Sequence, residues 1–140
     1  MKVLLAVDGS AYTQKMLAYL TSHQEMLGAG HEYSIITVQP LLPPRARAAL
    51  GKDVVEQYYD EEATKILVPV QDFLKSRGVQ VQSISKVGPI ADTIIKEAQE
   101  GKFDMIAMGT RGHGTLGRLV MGSVSSQVLA GCTIPVLLIR

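Results

Sequence analysis

Five short apolar runs, rich in β-branched residues, recur along this chain, and helical periods separate most of them. Val3-Leu4-Leu5-Ala6-Val7 is apolar at every position, so a strand made of it must be covered on both faces. A strand of a sheet with one wet face would alternate instead. The opening run therefore already demands a parallel sheet with helices above and below. Tyr33 to Val38 reads as a second strand, Val79, Val81 and Ile84 mark a third, Phe103 to Met108 a fourth, and Ile134 to Ile139 a fifth.

The intervening segments carry helix signals. Ser10 is a good N-cap, Met16, Leu17 and Leu20 follow at helical spacing, and Gly28 and Gly30 read as the stop. From Asp53 to Gly78, residues Val55, Tyr58, Tyr59, Ile66, Val70, Phe73 and Leu74 trace a long helix against which both tyrosines pack. Pro69 removes one of its backbone bonds and predicts a kink near Lys65. Pro89 suits the first position of a helix whose Ile90, Ala91, Ile94, Ile95 and Ala98 form one face. The stretch from Pro40 through Pro43 and Pro44 to Gly51, with Arg45 and Arg47, shows no period and reads as a mobile loop. The order βαβαβαβαβ predicts an α/β fold, an open parallel sheet with right-handed crossovers and a ligand at the carboxyl ends of the strands. No repeat, low-complexity tract or long linker divides the 140 residues, so 1–140 reads as one domain.

Between Gly109 and Ser125 a glycine-rich loop leaves the fourth strand and drains into a helix opened by Ser123, Val124 and Ser125. Glycines permit positive φ and leave no Cβ between main chain and ligand, and helix N-termini favour negative charge. No acidic residue follows Asp104, whereas Arg111, Arg118 and Arg140 all do. A small anion is the implied guest. Gly112-His113-Gly114-Thr115-Leu116-Gly117 satisfies G-x-G-x-x-G, but the dinucleotide fingerprint also needs an acid about twenty positions on, and none exists. A Walker A loop needs a lysine, and none lies beyond Lys102.

Composition narrows the partners. A formal net charge of +1 gives no field suited to a nucleic-acid backbone. Cys132 is the one cysteine, which rules out an intrachain disulfide and a cysteine-based metal site; it reads as a small buried residue in a reducing, cytoplasmic setting. His23, His31 and His113 lie in separate elements without metal-ligand spacing, so no metal site is expected. The N-terminal apolar run stops at Asp8, too short to span a membrane and with no cleavage pattern after it.

The spacing Gly109, Gly112, Gly122-Ser123 resembles the G-2x-G-9x-G-[ST] signature of the ATP-binding branch of the universal stress protein family. The resemblance extends along the chain through Val3-Leu4-Leu5-Ala6-Val7-Asp8-Gly9-Ser10, Gly88-Pro89-Ile90-Ala91, Asp104 to Gly109 and Ile134-Pro135-Val136-Leu137-Leu138-Ile139. It implies an open, twisted five-stranded parallel sheet of order 3-2-1-4-5 with helices on both faces, like the adenine nucleotide alpha hydrolases. It also implies a ligand: ATP, or AMP or ADP, with Mg²⁺ beside a triphosphate. By resemblance Asp8 sits near adenine and ribose, Ala6 walls the adenine, and Val38 contacts it. Gly109, Arg111 and Gly112 line ribose and phosphates, with Met108 beside them, while Gly122, Ser123, Val124 and Ser125 hold the distal phosphates. The family further implies a homodimer through the strand Val136 to Ile139 and an unidentified regulatory protein partner.

Simpler roles compete with these. Asp8 before Gly9-Ser10 suits a helix cap, Ser123 is a natural N-cap whose geometry a phosphate ligand would share, and arginines such as Arg111 and Arg118 are commonly solvated. Two classes of function follow: a regulatory protein in which ATP is a switch ligand with at most slow hydrolysis or autophosphorylation, or an ATP-dependent enzyme of the adenylate-forming or pyrophosphatase type. The regulatory reading is preferred because Asp8-Gly9-Ser10 lacks the Ser-Gly-Gly phosphate motif of such ligases and no catalytic lysine accompanies the loop.

Overall fold

The computed structural model describes residues 1–23, 25, 30–112 and 121–140. The chain order is β1 (Lys2–Ala6), α1 (Ala11–Ser22), β2 (Glu32–Gln39), α2 (Pro44–Leu50), α3 (Lys52–Ser76), β3 (Val81–Val87), α4 (Ile90–Glu100), β4 (Met105–Gly109), α5 (Ser123–Gly131) and β5 (Val136–Ile139). The strands form one parallel sheet in the order β3-β2-β1-β4-β5. β1 is central, pairing Leu4 with Ser34 of β2 on one side and with Ile106 of β4 on the other.

The apolar opening run divides by the period of two of a strand. Val3, Leu5 and Val7 join Met16, Leu17 and Leu20 of α1 and Val70 and Leu74 of α3 in one core layer. Leu4 and Ala6 point the other way, into a second layer with Ala91, Ile94 and Ala98 of α4 and Val128 of α5. Burial on both faces is why no polar residue interrupts the run. The edge strands are wetter: in β3 Val81 and Ile84 are half-buried and the other five positions exposed, and Val136, Leu137 and Leu138 of β5 are half-buried.

Several local expectations shift. The segment read as a mobile loop contains a helix, α2, with Pro44 in its first turn and Ala46, Ala48 and Ala49 as strong helix formers. The three prolines suggested irregular chain, but Pro44 is placed where its missing N–H costs nothing. Gly51, at φ 82°, then supplies the left-handed joint between α2 and α3. α3 runs 25 residues with Pro69 inside it and exposed. α1 ends at Ser22, earlier than its glycines suggested, and Gly28 lies outside the described residues. α4 begins at Ile90, with Pro89 in the N-cap position one residue before its expected place. Tyr58 is 41% exposed and does not pack as expected, whereas half-buried Tyr59 accepts a hydrogen bond from the Leu42 amide at 2.9 Å. Cys132 is half-buried, and its Sγ accepts from the Ile134 amide.

Candidate functional site

In a sheet of this order the direction in which successive strands are added reverses between the parallel neighbours β1 and β4, and the crossover helices leave on opposite faces there. A crevice must open at the carboxyl ends of those two strands. It does: a cleft of about 300 Å³ is lined by Ala6, Asp8, Val38, Met108, Gly109, Arg111, Gly112, Gly122, Ser123, Val124 and Ser125. All eleven residues assigned to a ligand site from the sequence therefore line one cleft. A more open depression of about 600 Å³ on the outer side of α3, lined by Asp53, Glu56, Asp60 and neighbours, is built from one helix alone. Nothing there converges on a ligand, so the cleft is the better candidate.

One end of the cleft is apolar. Ala6, Ile36 and Val38 from the sheet, Met108 from β4 and Ile90 and Ile94 from α4 form it, with Ile66 of α3 reaching in from the other layer. Ile36, Ile66, Ile90 and Ile94 were not expected at the cleft. Ile36 was legible as the position two residues before Val38 on the same strand face, and Ile90 and Ile94 as one helix face. Ile66 carried no signal of the cleft. Thr13, Thr37, Gln39 and Pro40 add polar and turn groups that were likewise unanticipated.

The other end favours anions. Gly122 is the N-cap of α5, whose first turn contains no acid, and the first N–H groups of a helix lack intrahelical partners. The loop base is closed by one residue. The Thr110 carbonyl accepts from the Gly122 amide at 2.7 Å and from Ser125 Oγ at 2.6 Å, while the Thr110 amide donates to the Ile139 carbonyl at 2.9 Å. Ser125 is 2% exposed, and its hydroxyl also approaches the Gly122 carbonyl at 3.0 Å. That hydroxyl proton is committed to the fold, leaving exposed Ser123 as the hydroxyl at this end that no described group engages.

Asp8 combines the two roles weighed for it. Its Oδ1 accepts from the Ser10 amide at 2.9 Å and from Thr13 Oγ1 at 2.9 Å, which is the cap-like role. Its Oδ2 lies against Gly112 at the cleft, where a Cβ would collide with it. Ser10, by contrast, occupies the N-cap position of α1 without capping it; its buried hydroxyl has no hydrogen-bond partner among the described residues. Arg111 lies over the Tyr12 ring, 5.6 Å from its centroid, and donates to the Tyr12 hydroxyl at 3.3 Å. The guanidinium is thus held at the cleft wall and not free in solvent.

Two of the motif glycines, Gly109 and Gly112, serve closeness. None of Gly109, Gly112 and Gly122 has positive φ, while Gly114 and Gly117, read as serving backbone shape, lie outside the described residues. A Cβ on Gly109 would come within 2.8 Å of Tyr12 Cβ and 3.2 Å of two carbonyl oxygens. Gly109 lets α1 approach β4, and Gly112 lets Asp8 approach the loop. His113, Gly114, Gly117 and Arg118 lie outside the described residues. Among the described residues no group of three His, Cys, Asp or Glu is placed to hold a metal ion, and no helix is long and apolar enough to cross a membrane.

A model of the Universal stress protein family matches residues 1–140. Universal stress protein YxiE of Bacillus subtilis is 30% identical over 146 residues, covering 99% of this chain and 98% of that protein. Universal stress protein Slr1230 of Synechocystis is 32% identical over 139 residues; 99% of this chain aligns, spanning only 42% of that longer protein. Among solved structures, hypothetical protein MJ0577 of Methanocaldococcus jannaschii superposes with a TM-score of 0.81 at 25% identity, covering 99% of this chain and 94% of that one. A universal stress protein in complex with cAMP gives 0.70 at 22% identity, covering 100% and 97%. An Arabidopsis thaliana family protein with AMP bound gives 0.72 at 16%, covering 99% and 90%. At those identities the last two share the fold.

The steric reading of Gly109 is directly testable. Gly109→Ala should destabilise the protein by about 1–3 kcal/mol, since the Tyr12 main chain cannot swing aside as a flexible side chain would. Urea unfolding followed by circular dichroism measures this, and an unchanged midpoint would remove close approach as the reason for the glycine.

Proposed function

The chain belongs to the universal stress protein family, and from that premise we propose that it is a regulatory protein that binds ATP, or AMP or ADP, in the cleft between β1 and β4. One observation carries the reading: a single cleft joins an apolar end, a carboxylate at Asp8 and the acid-free N-terminus of α5. A nucleotide has the matching polarity along its length. The planar base suits Ala6, Val38 and Met108, sugar and base donors suit Asp8, and phosphates suit Gly109, Arg111, Gly112 and the Gly122 to Ser125 turn. The relatives solved with cAMP and AMP support an adenine nucleotide as the ligand. Mg²⁺ would enter with a triphosphate, held mainly by phosphate oxygens and water as is usual for this ion.

Gly122→Val tests the placement. Its φ of −79° and ψ of 170° accept a branched residue, so the fold should survive while the side chain occupies the phosphate position. Isothermal titration should show ATP affinity reduced at least about tenfold, the equivalent of one hydrogen bond to a charged group. Equal binding by parent and variant would overturn the phosphate placement.

ATP acts in this reading as a switch ligand. Among the described lining residues Asp8 is the one carboxylate and there is no lysine, so none of them offers a carboxylate or amine base beside α5. The enzyme alternative finds no lysine and no second carboxylate among the described lining residues. The responding element is α2, which has no buried residue and connects to the cleft through Pro40 and to α3 through the Leu42–Tyr59 bond. Exposed Arg45 and Arg47 on α2 would gain a nearby anion, and a regulatory partner in the cytoplasm would read the change. ATP turnover should take minutes or longer, far below the roughly 10 per second of a median enzyme, and hydrogen exchange across residues 40–52 should slow when ATP is added. Turnover above about one per second with unchanged exchange would favour the enzyme.

We also propose a homodimer through β5, an edge strand whose Val136 and Leu138 would lie near a twofold axis. Leu138→Asp places a charge there. Light scattering should report a monomer for the variant and a dimer for the parent, and a dimer of unchanged strength would move the interface elsewhere.

A further inference from the structure

Thr13 sits in the first turn of α1, 4% exposed, and its hydroxyl engages Asp8 twice. Oγ1 accepts from the Asp8 amide at 3.0 Å and donates to Asp8 Oδ1 at 2.9 Å. One hydroxyl therefore ties the main chain and the side chain of the same residue, which restricts the Asp8 rotamer. The Ser10 amide, 2.9 Å from Oδ1, adds a second restraint. With Oδ1 drawn toward α1, the carboxylate plane is set so that Oδ2 lies at the Gly112 side of the cleft.

A carboxylate repels phosphate, so in a ligand whose phosphates lie at the α5 N-terminus, Asp8 must meet the uncharged nucleoside with its hydroxyl and amino donors. We propose that Thr13 is a positioning residue that sets nucleoside affinity by holding the Asp8 carboxylate in its acceptor orientation. This rests on the adenine-nucleotide reading and adds a residue to it. Thr13→Val is nearly isosteric, yet it leaves the Asp8 amide without its acceptor and releases one restraint on Oδ1. Thr13→Ser keeps the hydroxyl.

Titration calorimetry with adenosine, AMP and Mg·ATP on the parent, Thr13→Val, Thr13→Ser, Asp8→Ala and the Asp8→Ala/Thr13→Val double variant tests the proposal. Thr13→Val should weaken all three ligands by a common factor of about tenfold, as expected for losing one charge-assisted hydrogen bond. Thr13→Ser should bind within about threefold of the parent, since it keeps that bond. In the Asp8→Ala background, Thr13→Val should have no further effect on Mg·ATP, because residues acting through one group are not additive. Unchanged affinity in Thr13→Val, a loss that grows with phosphate number, no rescue by serine, or a full loss persisting without Asp8 would each overturn the proposal. A parent that binds none of the three would overturn the adenine-nucleotide reading, and the role of Thr13 with it. Should Thr13→Val not fold, Thr13→Ala is judged by the same comparisons.

Discussion

The Thr110 carbonyl holds together the end of the molecule where the cleft opens. By accepting from the Gly122 amide and from Ser125 Oγ, it closes a long glycine-rich excursion back onto the strand it left. The Thr110 amide meanwhile extends the β4–β5 ladder to Ile139. Three elements, β4, α5 and β5, thus share one peptide-scale junction. Hydrogen bonds this well buried are costly to leave unmade, because a solitary buried carbonyl or hydroxyl has no water to turn to. The position of the α5 N-terminus, and with it the electropositive end of the cleft, follows from that closure.

The second determinant is burial of the sheet on both faces. Since β1 presents Val3, Leu5 and Val7 to one helical layer and Leu4 and Ala6 to the other, neither layer can slide without exposing a row of large apolar side chains. The strand ends are therefore rigidly placed, and Asp8 and Gly109, distant in sequence, come to line one cleft. Rigid placement of backbone is what permits tight tolerances at Gly109 and Gly112. It also gives the cleft its polarity, with a single carboxylate on the β1 side and helix-terminal N–H groups beyond β4.

Against that scaffold, α2 stands apart. It has no buried residue, and short helices in water are marginal without tertiary packing. Its anchors are Tyr59, which meets the chain just before it, and the Gly51 joint just after it. An element with so few ties, adjacent to the cleft through Pro40, is where the proposed ligand switch would act at small energetic expense.

The sequence by itself determined the class of fold and the location of the cleft. Uninterrupted apolar strands admit few solutions other than a parallel sheet covered twice, and the glycine spacing after the fourth strand, followed by a helix without acids, marks an anion-favouring end. Both are local patterns that report a residue's own burial or backbone demand. Tertiary structure alone decided what those residues meet. It brought Arg111 onto Tyr12 across 99 positions of chain. It turned the Ser125 hydroxyl inward to Thr110, joined Thr13 to Asp8, and carried Ile66 to the cleft from the opposite layer. It also revealed that Gly109 and Gly112 are small because a helix and a carboxylate press against them, not because their φ is unusual. The physical reason is the same throughout: propensity and periodicity are properties of short stretches, whereas close approach depends on where crossovers deliver distant segments.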